Sequence, residues 1–442
     1  MKKTFFSLVV ALAAAMPAEA ADQPGTAWDI VSDLTTEIGP RLAGTEAEAR
    51  ARDWAKARLT ALGFANVAIE PFTMRAYLRG IDQAALTAPY PQNLSITALG
   101  YSGATTAKGI EGEVVYFHTL DALKTAPEGV LKGKIAFVDH AMKANQDGSG
   151  YGPYGNVRRQ GPGIAAKKGA VGILIRSAGT DSHRNPHTGV TNFPDGVKPI
   201  PAGAMSNPDA DQIARIAATG KPMRIAMTLT GQTKDAMPSG NVIGELPGRD
   251  TTLPAILVAC HLDSWDLGTG AIDDGAGCAI VTTAALRAQQ GGQALRTIRV
   301  LWAGSEELGG FGGEAYAAKH TAEPHALAME SDFGADRVWN VRMKLAAANK
   351  DVRERIVAAL NPLGIVALEG EGDVGTDVEP IVAKQKLASV SLGQDGTRYF
   401  DLHHTPDDTL DKIDPKMLEQ NVAAWTEVLK IVANEPGPIT GE

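Results

Sequence analysis

The chain has 442 residues and a formal net charge of -9 at pH 7. Hydrophobic residues make up 44% of it and charged residues 21%, which is typical of a globular protein and excludes a disordered one. The negative charge argues against nucleic acid or an anionic membrane as the main partner. Because a single hydrophobic core rarely serves so long a chain, we expect two domains.

The first 20 residues have the pattern of a secretory signal peptide. Two lysines precede an apolar run from residue 5 to residue 16, and the small residues of Ala-Glu-Ala follow at 18–20. The apolar run is too short to anchor the chain across a bilayer. We therefore expect cleavage after residue 20 and export of a soluble protein to the periplasm or the extracellular space.

The next part of the chain changes from helical to β-rich. From Ala27 to Leu62 apolar residues recur at three- and four-residue steps, which predicts helices interrupted by the segment GPRLAG. From residue 77 to residue 233 short apolar runs alternate with Gly, Pro, Asn and Thr, which predicts a β-rich module with helices at GPGIAAKKG and PDADQIARIAATG. His183 and His187 fall in a polar segment of this module, and we interpret them as solvated loop residues rather than metal ligands.

From residue 241 onward short apolar runs alternate with helical segments. This order is typical of an α/β fold with a mostly parallel sheet covered by helices on both faces. Ligands of such sheets bind beyond the carboxyl ends of the strands. The predicted strands are AILVAC, TIRVLWAG, HALAMES and LASVSLG, and the predicted helices are Gly275–Gln290, Phe311–His320, Asp351–Leu360 and Pro415–Ala433.

Each predicted strand leads into residues that can bind a metal or move a proton. We expect no nearby basic residue to neutralise these carboxylates, and packing them uncompensated is costly. Divalent cations remove that cost. Imidazole and carboxylate ligands without thiolate favour zinc, with cobalt and manganese as alternatives. The residues in chain order are His261, Asp263, Asp273, Glu306, Glu307, Asp332, His403 and His404.

Two neighbouring metal ions, about 3.5–4 Å apart, need a carboxylate between them. We assign this bridging role to Asp273. His261 and Asp332 would complete one site, and Glu307 and His404 the other. The sequence therefore predicts two Zn²⁺ ions per chain.

Two further acids have predicted roles beside these ligands. Asp263 lies two residues after His261, so on a strand both point to the same side, and Asp263 can accept the far ring N–H. Glu306 is free to act as the general base that takes a proton from the attacking water.

Taken singly, each motif also has an ordinary structural interpretation. Asp273 could cap the helix that begins near Gly275, the two glutamates could begin the following helix, and the two histidines could be loop residues. Their joint occurrence at successive strand ends favours the metal site.

The chain contains Cys260 and Cys278 alone, which excludes a disulfide framework. A single bridge between them and two buried free thiols both remain open. We favour free thiols, which are common in protein cores.

The segments HLDSWDLGTGAIDDGAG, WAGSEELGG, MESDFG and HHTPDDT closely resemble the co-catalytic di-zinc exopeptidase family of the aminopeptidase Y and glutamate carboxypeptidase type. IGPRLAGT near the start and DPKMLEQNVAAW near the end extend the resemblance over nearly the whole chain after residue 20. It implies the same ligands, base and orienting residue, and a cis peptide bond between Asp273 and Asp274. His404 is preferred to His403 because it lies four residues before Asp408, the spacing that the family shows.

The resemblance also implies how the domains are arranged. We expect a di-zinc peptidase domain at residues 21–95 and 236–442. Residues 96–235 would form an inserted protease-associated domain that partly roofs the active site. Members of the family often pair, so a homodimer is a further expectation.

The expected activity is that of a dipeptidase or carboxypeptidase acting on small unblocked peptides. A zinc aminopeptidase of the same family is the main alternative. Less favoured are a non-catalytic, receptor-like member and a glutaminyl cyclase with one zinc ion. Arg398 and Tyr399 are candidates for binding a substrate carboxylate, although a loop arginine and a packing tyrosine are the more ordinary interpretation.

Overall fold

The computed structural model describes residues 27–441, so the predicted signal peptide lies outside the described residues. Within that range, none of the helices combines the length and apolar character that crossing a bilayer requires. The helices are α1 Ala27–Asp33, α2 Glu46–Ala61, α3 Leu120–Thr125, α4 Tyr151–Lys167, α5 Asn207–Ala217, α6 Ala276–Ala288, α7 Phe311–His320, α8 Lys350–Leu360, α9 Glu379–Gln385, α10 Tyr399–Leu402 and α11 Pro415–Val432. The strands are β1 Ala65–Leu78, β2 Asp82–Ala88, β3 Gln92–Leu94, β4 Ile96–Ala98, β5 Ile110–Phe117, β6 Ile135–Val138, β7 Gly172–Arg176, β8 Ala202–Met205, β9 Arg224–Leu229, β10 Gln232–Leu246, β11 Ala255–His261, β12 Ile298–Ala303, β13 His325–Glu330, β14 Val338–Lys344, β15 Val366–Ala367 and β16 Ala388–Gln394.

The first sheet has the order β1-β10-β12-β11-β13-β16-β14-β15. Its four central strands, β12, β11, β13 and β16, are parallel. Antiparallel pairings flank them: β10 pairs with β12 and β1 with β10 on one side, and β14 pairs with β16 on the other. The parallel centre coincides with the four predicted strands, so their carboxyl ends meet at one edge of the sheet.

Both faces of this sheet are buried, as a strand of continuous apolar residues requires. Along β11, Ile256 and Val258 pack into a core with α1, α2, α6, α8 and α11. The intervening Leu257 and Ala259 pack into a second core on the opposite face with α7 and α9. The strict alternation holds β11 rigidly between two helical layers and fixes the position of its last residue.

The second sheet has the order β3-β2-β9-β5-β6-β7-β8-β4 and mixes parallel and antiparallel pairs. The chain enters it from β1 and leaves it into β10, and these two long strands pair antiparallel along nearly their whole length. This β1–β10 ribbon therefore joins the two sheets. The second sheet begins at Asp82, ahead of residue 96 where the inserted domain was expected to start, because β2 pairs with β9 and β3 pairs with β2.

The residues that form the second sheet and its helices, 82–229, are called the second-sheet region below. Helix α4 of this region is longer than the sequence predicted. The predicted helix covered GPGIAAKKG, at residues 161–169, whereas α4 begins at Tyr151. The added turns are rich in Gly and Pro, which lowers their helix propensity. Burial of Tyr154, Val157 and Arg158 along one helix face outweighs that propensity. This difference matters for function, because the added turns face the candidate site.

Cys260 and Cys278 form a disulfide bond that joins the end of β11 to α6. The favoured interpretation of two free thiols is therefore wrong. The sequence separation of 18 residues gave no sign of the pairing, because it depends on α6 folding back against β11.

Candidate metal centre

Four strand ends and one turn bring the predicted ligands together. His261 is the last residue of β11, and Asp273 lies in the turn that precedes α6. Glu307 follows β12, and Asp332 follows β13. His404 follows the short helix α10 after β16. These five residues, His261, Asp273, Glu307, Asp332 and His404, are called the metal cluster below.

Asp273 stands between two imidazoles. His261 Nε2 lies 2.9 Å from Asp273 Oδ1 and 3.3 Å from Asp332 Oδ1. His404 Nε2 lies 3.1 Å from Asp273 Oδ2 and 2.9 Å from Glu307 Oε2. Each imidazole thus faces one oxygen of Asp273, which both share, and one oxygen of a second carboxylate: Asp332 for His261 and Glu307 for His404.

The donor set fits metal binding. The ligand atoms of His261, Asp273 and Glu307 all lie within 4.8 Å of one another. Glu307 Oε1 is buried and has no hydrogen-bond partner within residues 27–441, as is expected of an oxygen that serves as a ligand. Nitrogen and carboxylate oxygen donors without thiolate match the preferences of zinc.

The electrostatics of the cluster also favour a bound cation, because several buried carboxylates face one another. Burial lowers the pKa of His261 and of His404, but the facing carboxylates outweigh it and raise both pKa values well above the ordinary range. Burial and the charge of Asp273 raise the pKa of Glu307 well above its ordinary value. Without cations the imidazoles are thus held protonated, and a metal ion that binds there displaces those protons.

Glu306 and Asp263 lie beside the cluster. Burial, together with the negative charges of Asp332 and Asp273, raises the pKa of Glu306, which suits a general base. The backbone N–H of Glu306 donates to Asp263 Oδ1 at 3.0 Å.

The orienting contact of His261 differs from the expected one in its acceptor atom. Nδ1 of His261 lies 2.9 Å from the Asp263 backbone carbonyl and 3.8 Å from its carboxylate. The carbonyl, not the carboxylate, therefore fixes the ring. Strand β11 ends at His261, so the alternation of sides that the prediction relied on does not continue to Asp263.

A buried arginine lies under the site, so the expectation of no nearby basic residue is wrong. Arg41, from the segment IGPRLAG, is fully buried and donates to the carbonyls of Thr269 and Gly270 at 2.8 Å each. It is separated from its third acceptor, Leu262, by 221 positions, which is why sequence proximity could not reveal it. The acids whose charges act on Arg41 are Asp408, Asp263, Asp274 and Asp273.

The turn that carries Asp273 is fixed on both sides. The peptide bond between Asp273 and Asp274 is cis, as the family resemblance implied. Asp274 Oδ1 accepts from Gly277 N at 3.0 Å, so Asp274, and not Asp273, satisfies a backbone N–H in the first turn of α6. Asp408 Oδ1 accepts from Ile272 N at 2.6 Å. These contacts leave the Asp273 carboxylate free to face the two imidazoles.

A cavity of about 570 Å³ opens over the metal cluster. It is within the usual size of small-molecule sites. The second-sheet region contributes part of its wall through the segment around Asp147, Tyr151 and α4. Other lining residues are Asp273, Glu306, Glu307, Asp332, Phe333, Asp373, Thr376, Tyr399, Phe400, His403 and His404.

The two residues predicted to bind a substrate carboxylate are separated by the structure. Tyr399 lines the cavity over the metal cluster. Arg398 instead donates two hydrogen bonds of 2.6 Å to the Asp336 carboxylate and a third to the Lys412 carbonyl, and it lines a different surface depression. With its guanidinium neutralised there, Arg398 is not available to substrate in the cavity.

His187 and His403 form a second pair of histidines behind the cluster. His183 is 59% exposed, as a loop residue should be, but His187 is 1% exposed, so its assignment to a solvated loop is wrong. Its Nε2 lies 3.3 Å from His403 Nε2. Burial is the main cause that holds the pKa of each well below its ordinary value.

Comparison with known proteins gives the family. Residues 241–429 match peptidase family M28. Carboxypeptidase Q from Bos taurus is 32% identical to this chain, over 91% of this chain and 84% of that protein. A crystal structure of a peptidase M28 precursor from Shewanella amazonensis SB2B is 44% identical and covers 94% of both chains, with a TM-score of 0.91. A zinc aminopeptidase from Bacillus subtilis is 18% identical, and its TM-score of 0.65, over 94% of this chain and 98% of that one, shows the same fold.

The matched residues include the whole metal cluster, and the likeness to carboxypeptidase Q reaches well beyond them into the rest of the chain. The resemblance read from the sequence motifs is therefore confirmed: the chain belongs to peptidase family M28, a family of metallo-exopeptidases.

Proposed function

We propose that the protein is a zinc-dependent exopeptidase that hydrolyses small unblocked peptides as a dipeptidase or carboxypeptidase. The observation that carries this proposal is the position of Asp273, whose two oxygens face two different imidazoles, each with a further carboxylate beside it. Such an arrangement of donors suits two metal ions that share one carboxylate.

In this proposal Asp273 is shared by both zinc ions. His261 and Asp332 would hold one ion, and Glu307 and His404 the other. When bound, the two ions supply Lewis acidity that polarises the scissile carbonyl and makes a water molecule acidic enough to attack at neutral pH.

Glu306 moves the proton. It lines the cavity beside the cluster, and burial raises its pKa above the ordinary value, which makes its carboxylate a stronger base. Its carboxylate takes a proton from the attacking water and delivers it to the nitrogen of the leaving amine, so that the tetrahedral carbon can collapse with cleavage of the C–N bond. The Asp263 carboxylate holds the Glu306 backbone and thereby positions the base.

Two observations support a small-peptide substrate and an exported enzyme. The cavity volume of about 570 Å³ suits a ligand of a few residues better than a folded protein. The disulfide between Cys260 and Cys278 is characteristic of proteins that fold in an oxidising compartment. It agrees with the proposed cleavage of a signal peptide after residue 20.

An aminopeptidase of the same family is the second candidate, because acidic side chains could bind a free amine. Asp147 and Asp373 both line the cavity outside the metal cluster. Peptides blocked at one terminus separate the two activities: an acetylated amino terminus stops an aminopeptidase, and an amidated carboxyl terminus stops a carboxypeptidase.

The experiment that tests the function is hydrolysis of a mixture of dipeptides by the purified protein, with and without a chelator. We expect free amino acids to appear, their release to stop with the chelator, and zinc to restore it. A metal content near two ions per chain is expected alongside. Absence of any chelator-sensitive release would favour a receptor-like protein, and one ion per chain would favour a cyclase.

Glu306→Gln tests the mechanism. The amide cannot accept the proton, so we expect a loss in kcat of about 10²- to 10⁴-fold, with both metals retained in elemental analysis because Glu306 is not a ligand. A variant with near-normal turnover would show that another group is the base.

A further inference from the structure

The cavity over the metal cluster is lined by two adjacent arginines together with six acidic residues. Arg158 and Arg159 lie in α4, in the N-terminal turns that were not predicted from the Gly- and Pro-rich sequence. Within residues 27–441 they are the Lys or Arg side chains that line this cavity. Both belong to the second-sheet region, so they reach the site from the side opposite the strand ends.

Arg158 is held against the site with part of its guanidinium unsatisfied. It is 6% exposed, and its Nη1 donates to the Thr188 carbonyl at 3.1 Å and lies 3.4 Å from His404 Nδ1. Its Nε is buried and has no hydrogen-bond partner among the described residues. A buried donor without a partner is costly, so an acceptor group that reached this nitrogen would stabilise the site.

Arg159 is half-buried and more open to the cavity than its neighbour. No hydrogen bond or ion pair involves its side chain within residues 27–441. Its guanidinium lies over Gly155, where an added Cβ would come within 2.7 Å of Nη2. Gly189 makes similar room for Arg158, since a Cβ there would lie 1.8 Å from Nη1. The sequence thus leaves space for both guanidinium groups.

The pair carries two positive charges without a carboxylate to neutralise them. Burial and the charge of Arg158 lower the pKa of Arg159, and no acidic side chain raises it. Arginine stays protonated at neutral pH despite such shifts. Adjacent like charges in a partly buried position are unfavourable until an anion binds, and a carboxylate matches the fork of a guanidinium with two parallel hydrogen bonds.

We propose that Arg159, supported by Arg158, binds the free C-terminal carboxylate of the peptide substrate. This inference rests on the proposed function and deepens it, because it identifies what makes the enzyme a dipeptidase or carboxypeptidase instead of an aminopeptidase. The carboxylate of a C-terminal residue lies one residue beyond the scissile bond, a reach of about 3.6 Å. Arg158 Nη1 lies 3.4 Å from Nδ1 of the predicted ligand His404, and Arg159 lines the same cavity, which places the arginine pair beside the cluster.

The test compares peptide pairs that differ in one terminus only. One member has a free C-terminal carboxylate and the other a C-terminal amide, and kcat/KM is measured for both with wild type, Arg159→Gln and Arg159→Lys. We expect wild type to prefer the free acid. The preference should fall about 30-fold in Arg159→Gln and be partly restored in Arg159→Lys, which keeps the charge but not the fork.

Arg342 provides the matched control. It lies in an adjoining cavity that shares Asp332 and Phe333 with the first. Arg342→Gln removes the same charge, and we expect the preference for the free acid to stay at its wild-type value. Zinc content and the melting temperature of each variant report whether the fold and the cluster are intact.

The outcomes separate the inference from the proposed function. If wild type cleaves no peptide in a chelator-sensitive way, the proposed function fails. If wild type cleaves peptides but Arg159→Gln keeps the full preference, or Arg342→Gln loses it, the inference is overturned. A second peptide series with acidic and neutral C-terminal side chains completes the test. A loss of kcat/KM in Arg159→Gln that is confined to the acidic side chains would overturn the assignment to the terminal carboxylate.

Discussion

His403 and His404 are neighbours in sequence, yet they belong to two different pairs of histidines. His261 and His404, the acid-facing pair, point at carboxylates at 2.9–3.3 Å. His187 and His403, the apolar pair, point at each other, with the rings of Tyr151 and Tyr399 around His403. The facing carboxylates raise the pKa values of the first pair, and burial lowers those of the second.

The difference shows that the partner of an imidazole, and not its burial, determines its chemistry. All four rings are largely removed from water, with side-chain or residue exposures between 1% and 11%. Burial alone favours a neutral ring, as in the apolar pair. Only where carboxylates face the ring does the site attract positive charge, and there metal ions are expected.

The largest effect is expected from replacing a member of the acid-facing pair. His404→Ala, like His261→Ala, removes a predicted zinc ligand and leaves the facing carboxylates without a cation. We expect kcat/KM for dipeptides to fall about 10³-fold or more and the metal content to fall by about one ion per chain. Elemental analysis and peptide hydrolysis check this. Full metal content in either variant would show that the replaced histidine of the acid-facing pair is not a ligand.

An intermediate effect is expected from pH on the affinity for zinc. The pKa values of His261 and His404 are raised without metal, so both imidazoles are protonated near neutral pH and zinc must displace those protons. Zinc affinity should therefore rise with pH, by about tenfold per pH unit for each ion, until the imidazoles are neutral. Competition with a chelator at several pH values measures this. A flat dependence would show that the acid-facing pair is neutral before zinc binds.

The smallest effect is expected from the apolar pair. His403→Phe keeps an aromatic ring stacked on Tyr399, whose centroid lies 4.4 Å away, and loses only the contact with His187. Because the buried His403 is neutral, we expect kcat/KM to change by less than about fivefold, with wild-type zinc content and the same dependence of zinc affinity on pH. A loss of zinc as large as that of His404→Ala would place His403 among the ligands.

Much of the site was predictable because its residues follow strands of simple pattern. AILVAC and TIRVLWAG are buried on both faces, and parallel strands bring their carboxyl ends to one edge, so His261 and Glu307 had to meet there. The choice of His404 over His403 depended on spacing to Asp408, and the structure shows that His404 is the ring facing the carboxylates.

What sequence reasoning missed depends on contacts between distant segments. Arg41 comes from the start of the chain and became a neighbour of the acids only through folding. The long α4, with Arg158 and Arg159, is stabilised by burial against its local propensity. The position of His187 depends on the second-sheet region packing against the first sheet, which no periodic pattern encodes.

The backbone of His404 is supported by a contact with the second-sheet region. Its φ of 57° lies in the left-handed region, which costs a residue with a side chain about 1–2 kcal/mol. The N–H of Thr188, from the second-sheet region, donates to the His404 carbonyl at 3.0 Å. The two regions are therefore not interchangeable modules of this enzyme. Excising residues 82–229 to obtain a minimal peptidase would remove a support of the predicted metal ligand His404, and a foreign insert would have to reproduce that support.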